Sequence, residues 1–179
     1  MAASLRERLF DIAEHAELKD HLTLIELLRG EVHHTITPVA SEYPTERYTC
    51  AVHAFDLTGD TTYVEIASFG FGRTFAGADF IQFLLDSNRL VECDPQYVRD
   101  GDLVIYFSDG RFRHVGKLLS RGRVVSKWGT GHLYEHDLME VPSSYGDHVR
   151  FFRAPTPPES LDLFLDYAET RGFQFRRIA

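Results

Sequence analysis

Apolar residues recur every three or four positions along much of the first half of the chain, a spacing that predicts amphipathic helices. Ser4 and Glu7 form a capping-box pattern, which supports a helix start at Ser4. Gly30 marks the expected end of a second helix. The predicted helices cover residues 4–18, 20–29, 49–57, 76–85 and 158–170.

After residue 102 the pattern changes to short runs of β-branched and aromatic residues separated by polar, glycine-containing turns, which is typical of antiparallel strands. Residues 62–66 form one earlier strand candidate, and the glycine-rich segment 70–72 interrupts it. The other predicted strands cover residues 103–107, 113–119, 123–128 and 149–153.

A chain of 179 residues has the size of one domain. Helices first and antiparallel strands afterwards predict an α+β fold. Within this single domain we distinguish a helical N-terminal extension (1–40), a core (41–155), and a C-terminal helix and tail (156–179).

The charge and the apolar runs limit the partners and the location that we expect. The formal net charge of −8 argues against nucleic acid and anionic membranes as partners. The N-terminus lacks the apolar core of a signal peptide, and no run approaches the length of a membrane span. We therefore expect a cytoplasmic location. The sequence does not indicate an oligomeric state.

Cys50 is the first candidate for chemistry. Thr49 is a plausible N-cap, which makes Cys50 the first helical residue. A thiol there lies at the positive end of the helix dipole, which lowers its pKa toward the thiolate. Free cysteine is also often a small buried hydrophobe. Cys93 has no helix start beside it, and two cysteines are no disulfide framework.

His114 is the second candidate. It opens a predicted strand after a polar turn, and a histidine is the usual base that activates a cysteine nucleophile. A lone strand histidine is more often a hydrogen-bonded structural residue. The order of Cys50, then strand, then His114 favours a papain-type cysteine hydrolase.

The Cys50 helix, the Gly-Asp-Leu-Val-Ile-Tyr strand at 101–106 and the His-Val-Gly segment at 114–116 resemble the NlpC-type papain-like cysteine peptidases. CHAP-type amidases are similar. The resemblance covers about residues 43–153 and implies a papain-like fold, amide cleavage, Cys50 as nucleophile and His114 as base. We expect no cofactor. The resemblance implies peptidoglycan peptides as a common substrate. The segment 41–44 lacks the glycine-rich approach of many wall hydrolases, and with the missing export signal this weakens peptidoglycan in favour of an intracellular peptide, an isopeptide or a thioester.

A third residue orients the histidine in these families. A three-residue hairpin loop at 120–122 places Gly116 opposite Ser126, so Ser126 is diagonal to His114 on the same face. Serine departs from the usual His, Asn, Asp or Glu at this position. Glu135 and His136 from the following segment are the alternatives.

Three aromatic residues complete the predicted site. Tyr43 and Tyr48 precede Cys50 and are candidates to assist its backbone N–H in stabilising an oxyanion. Trp128 either walls the cleft beside His114 or fills the sheet core. Tyr43 and Tyr48 are equally consistent with ordinary half-buried aromatics.

Two other functions compete with a cysteine hydrolase. The imperfect third position favours a papain-like binding or regulatory domain that has lost catalysis. His132, Glu135 and His136 match the H-x-x-E-H pattern of zinc peptidases. The glycines before this pattern and Pro142 after it leave too short a helix for a rigid zinc site, so we expect a solvated loop there.

Overall fold

The computed structural model describes residues 3–69 and 74–174. In this part of the chain an antiparallel sheet has the strand order β1-β6-β5-β4-β3-β7-β2. The strands are β1 (Thr37–Val39), β2 (Glu92–Cys93), β3 (Leu103–Ser108), β4 (Arg111–Leu118), β5 (Arg123–Lys127), β6 (Leu133–Asp137) and β7 (His148–Phe152).

The helices are α1 (Leu5–His15), α2 (His21–Arg29), α3 (Cys50–Ala54), α4 (Thr61–Phe69), α5 (Ala78–Asp86) and α6 (Pro157–Thr170). The predicted α+β class is confirmed by this layout. The capping box of α1 is present, with the Ser4 N–H donating to Glu7 at 2.7 Å. The expected N-cap of α3 is also present, because Thr49 accepts a hydrogen bond from the N–H of Val52.

The strand predicted at 62–66 is wrong, because these residues lie in α4. Asp60 caps the helix by accepting a hydrogen bond from the N–H of Tyr63 at 2.8 Å. Tyr63 and Ile66 are three residues apart and both buried, so they share one helix face. The cap and this burial outweigh the β propensity of the segment. The glycine turn predicted at 70–72 lies outside the described residues.

The loop expected around residues 132–136 is also wrong. Residues 133–137 form β6, which pairs along its whole length with β5 and along three residues with β1. Strand β1 lies within the predicted helical extension, where Thr37 pairs with Glu135. The sequence pattern did not show this strand because the polar residue His136 takes a buried position, where it is hydrogen-bonded to Ser126.

The core occupies both faces of the sheet. On one face the side chains of α3, α5 and α6 pack on the sheet residues Ile105, Phe107 and Val115. On the other face the apolar residues of α1 and α2, such as Leu9 and Leu28, surround Trp128. The N-terminal extension therefore covers one face of the sheet. No helix in the described ranges is long and apolar enough to cross a membrane.

Candidate active site

A local parting of two central strands creates the candidate site. Strands β4 and β5 pair only at Lys117–Val125 and Leu118–Val124, in the register that the hairpin prediction requires. Gly122 in the connecting loop has the expected positive φ of 76°. Helix α3 packs against both strands where the ladder has ended. We call this place, between Val115 of β4 and Lys127 of β5, the β4–β5 gap.

Cys50 enters the β4–β5 gap from the start of α3. The Thr49 hydroxyl fixes this start by donating to the carbonyl of Ala76 at 2.7 Å and accepting from Val52 at 3.3 Å. The thiol is free. Burial raises its pKa, while hydrogen bonding from the backbone N–H of Val115 and the charge of Lys127 act in the opposite direction. The expected lowering of the thiol pKa is therefore wrong, because desolvation outweighs the helix terminus.

His114 lies beside the gap on β4, one residue before Val115. Its ring is 1% exposed and stacks on Tyr145, with the ring centroids 4.0 Å apart. Burial, and then the neighbouring His136, hold the pKa of His114 well below its usual range. Its Nε2 atom is buried without a hydrogen-bond partner. The described residues show no hydrogen bond between His114 and Cys50.

Tyr145 connects the two candidates. Its ring covers His114, and its hydroxyl is close enough to Cys50 for the thiolate charge to raise the phenol pKa further, after burial. Tyr145 ends a short 3-10 turn and precedes Gly146, whose φ of 103° a residue with a side chain rarely adopts. Tyr145 therefore lies near both Cys50 and His114, whereas the alternation of β4 turns the His114 side chain to the sheet face opposite the one on which Val115 and α3 pack. Tyr145 was not predicted from the sequence, because the residues around it do not indicate that its ring packs on His114 of β4.

The third predicted residue does not orient His114. Ser126 lies on the expected face, but its hydroxyl hydrogen-bonds the Nε2 atom of His136 at 2.8 Å. Glu135 instead accepts from Arg123 at 3.0 Å. His136 lies near enough to His114 to lower its pKa, yet its own ring atoms contact Ser126 and the carbonyl of Asp137. The structure thus supports neither Ser126 nor Glu135 as the orienting residue.

The predicted aromatic residues divide between core and groove. Trp128 is buried with Tyr134, at a centroid distance of 4.5 Å, so it fills the core and does not wall a cleft. Tyr48 is 5% exposed, and its hydroxyl hydrogen-bonds Ser41 at 2.7 Å. Tyr43 is 42% exposed and stands edge-on to Tyr48. The oxyanion role of Tyr43 and Tyr48 stays a prediction, because either hydroxyl can be the donor between Tyr48 and Ser41.

A groove of about 1210 Å³ lies beside the chain segment that leads into α3, and neither Cys50 nor His114 lines it. Its lining includes Tyr48 and Thr49, the two residues before Cys50. Its outer part carries three exposed apolar side chains, Tyr43, Val64 and Phe75. Exposed apolar side chains that share a concave surface indicate a ligand site more strongly than scattered ones do.

Lys127 is the other residue that sequence reasoning missed. Its side chain is fully buried, and its ammonium lies 4.4 Å from the centre of the Tyr48 ring. The ammonium donates to the carbonyl of Gly131. Burial lowers its pKa to about 8, although the charge of Cys50 acts against this. The signal in the sequence was a lysine within the predicted strand 123–128, but a lysine in an alternating strand normally faces solvent.

The geometry does not support the zinc hypothesis. His132 and His136 are four residues apart on an extended segment, which separates their backbone positions by about 13 Å. His132 approaches the carbonyl of Leu18 at 3.3 Å, and His136 faces Ser126. Within residues 3–69 and 74–174 no group of three potential metal ligands exists.

Comparison with protein families matches residues 39–153 to a family described as a domain of unknown function (DUF7689). No curated protein matches the chain significantly. No solved structure does so either. The matched segment covers more than half of the chain and contains Cys50, His114 and Lys127. The chain therefore belongs to the DUF7689 family.

Proposed function

We propose that this protein is a papain-like cysteine hydrolase that attacks an amide or ester carbonyl with the sulfur of Cys50. One observation carries the proposal: a buried imidazole with an unpartnered nitrogen, His114, adjoins the strand residue whose N–H is directed at that sulfur. Each buried polar atom without a partner calls for an explanation, and in the described part of the chain His53, Trp128, Tyr134 and Ser160 also carry such an atom. The resemblance of these segments to NlpC-type peptidases supports the same assignment.

The resting protonation states determine the mechanism. The Cys50 thiol is protonated because burial raises its pKa, and His114 is neutral because burial lowers its pKa. A neutral imidazole can accept a proton, so general-base catalysis replaces a preformed thiolate–imidazolium pair.

The reaction then follows in two halves. His114 takes the thiol proton as the sulfur bonds to the carbonyl carbon. The amine or alcohol leaves with that proton, and a thioester to Cys50 remains. Water hydrolyses the thioester, which releases the acid and restores the thiol. The apolar groove beside Tyr48 suits the acyl part of such a substrate.

Acylation by an activated ester tests the proposal. Incubation with p-nitrophenyl butyrate should add one butyryl group to the intact mass, with the adduct on Cys50 and absent from Cys50→Ala. His114→Gln should slow acylation about 100-fold or more, the usual contribution of a general base. The exposed His33 provides the matched control, because His33→Gln leaves the site untouched.

The burial of His114 and the partial burial of Cys50 also favour a second function, a papain-like binding domain without catalysis. The same experiment separates the two. A wild-type protein that takes up no acyl group, while its Cys50 reacts normally with iodoacetamide, contradicts the hydrolase and supports the binding domain.

A further inference from the structure

Lys127 is a buried cation in the middle of the domain. It lies in β5, its side chain is fully buried, and no carboxylate in the described part of the chain forms an ion pair with it. An isolated buried ammonium costs several kcal/mol unless other groups compensate for lost hydration. Its contacts therefore indicate what the charge is for.

Two neutral groups hold the ammonium in place. The carbonyl of Gly131 accepts a hydrogen bond from it, and the face of the Tyr48 ring lies beneath it. A tight turn fixes the Gly131 carbonyl, since the Gly131 N–H donates to Trp128 at 2.7 Å. A β-carbon at Gly131 would lie 2.9 Å from the same Trp128 carbonyl, so glycine fits this turn. The ammonium is positioned, but its charge is not neutralised.

The titratable groups around Lys127 leave one partly buried partner. Those within electrostatic range are Cys50 and His53 of α3, Glu46 before it, and His132 in the following turn. An imidazole is either neutral or positive, so the two histidines supply no negative charge. Glu46 is exposed, and the Thr45 hydroxyl donates to it at 3.2 Å. Cys50, which is partly buried, is the group that becomes an anion near the ammonium when its proton leaves.

We propose that the ammonium of Lys127 is the positive charge that stabilises the Cys50 thiolate. His114 carries no charge at neutral pH until it accepts the proton, because burial keeps its imidazole neutral. The two residues then divide the work: His114 accepts the proton, and Lys127 stabilises the charge left on sulfur. Lys127 acts through Cys50 and is a positioning residue. The inference rests on the proposed function in taking Cys50 as the nucleophile.

Alkylation of Cys50 with iodoacetamide across pH 5 to 10 tests the inference, because only the thiolate reacts. The measurement uses the full chain in a Cys93→Ala background, so that one cysteine is observed. We expect Lys127→Met to slow alkylation at pH 7.5 about tenfold or more and to move the profile to higher pH, since an adjacent opposite charge shifts a pKa by about 1 to 3. Lys127→Arg, which keeps the charge, should restore most of the rate.

Lys19→Met is the matched control, since the Lys19 side chain is exposed and pairs with Glu17. It should leave the profile unchanged. A folded Lys127→Met protein with the wild-type profile overturns the inference. If Lys127→Met does not fold, the reciprocal measurement decides: Cys50→Ala should lower the pKa of Lys127 in an NMR titration, and an unchanged pKa overturns the inference.

The outcomes separate this inference from the proposed function. Loss of thiolate reactivity in Lys127→Met, with no acyl group taken up by the wild type, supports the charge pair and contradicts the hydrolase. Acylation of Cys50 that proceeds equally well in Lys127→Met supports the hydrolase and contradicts the charge pair.

Discussion

Acid should destabilise this protein through His136, and the structure sets the size of the effect. His136 is a fully buried residue of β6, with hydrogen bonds to Ser126 of β5 and to the carbonyl of Asp137. Burial lowers its pKa from 6.5 to about 4. The unfolded chain therefore binds this proton at a higher pH than the folded protein does. The stability contribution is complete above pH 6.5 and is lost as the pH falls toward 4.

The magnitude follows from the two pKa values. At pH 5 the unfolded histidine is almost fully protonated and the folded one is almost fully neutral, which costs about 2 kcal/mol of folding free energy. Below pH 4 the loss from this one residue levels off at about 3 kcal/mol. Such a loss is a large fraction of the 5–15 kcal/mol that is typical of a domain.

Urea unfolding of the wild type and His136→Gln at pH 7.5 and pH 5.0 measures this contribution. Glutamine cannot titrate, so the destabilisation caused by the substitution should be about 2 kcal/mol smaller at pH 5.0 than at pH 7.5. His33→Gln, at an exposed position, controls for general effects of pH and should show no such change. An equal loss of unfolding free energy for His136→Gln at both pH values would contradict the lowered pKa of His136.

Two further predictions concern packing and capping. Gly116→Ala places a β-carbon 2.8 Å from the Ser126 β-carbon and 2.9 Å from the Val125 carbonyl. This overpacking should cost about 1–3 kcal/mol and lower Tm by about 3–10 °C. The control Gly30→Ala lies at a helix end with a negative φ and should change Tm little. A wild-type Tm for Gly116→Ala would contradict the close approach of β4 and β5. Asp60→Ala removes the cap of α4 and should lower the free energy of unfolding in urea by about 1 kcal/mol. The control Asp94→Ala removes a similar hydrogen bond from an exposed 3-10 turn and should lower it less. An equal loss in the two variants would argue against the α4 cap.

Elements with a strong local pattern were predictable from the sequence. The capping box of α1, the Thr49 cap of α3 and the positive φ at Gly122 all depend on residues within a few positions of one another. The register of the β4–β5 hairpin followed from its loop, since loop length determines register. Two of these features, the Thr49 cap of α3 and the register of the β4–β5 hairpin, place Cys50 next to β4.

Features that depend on distant partners were not predictable. Strand β6 contains His136, whose burial becomes favourable only when Ser126, diagonally across on β5, hydrogen-bonds its ring. The burial of Lys127 depends on the Tyr48 ring, almost eighty residues earlier. The direction of the pKa shift of the Cys50 thiol could not be predicted without knowing how deeply the start of α3 is placed against the sheet. Desolvation and the helix terminus act on this pKa in opposite directions.

Addition of Cys50 to a carbonyl is the step on which the account depends, and a peptide aldehyde labelled with ¹³C at the carbonyl observes it directly. Attack by the thiol converts the aldehyde carbon into a tetrahedral thiohemiacetal, which gives its own ¹³C NMR signal. We predict this signal with the wild-type protein and its absence with Cys50→Ala. A spectrum with only free aldehyde and hydrate, at saturating aldehyde and with the protein folded, would contradict the assignment of Cys50 as a nucleophile.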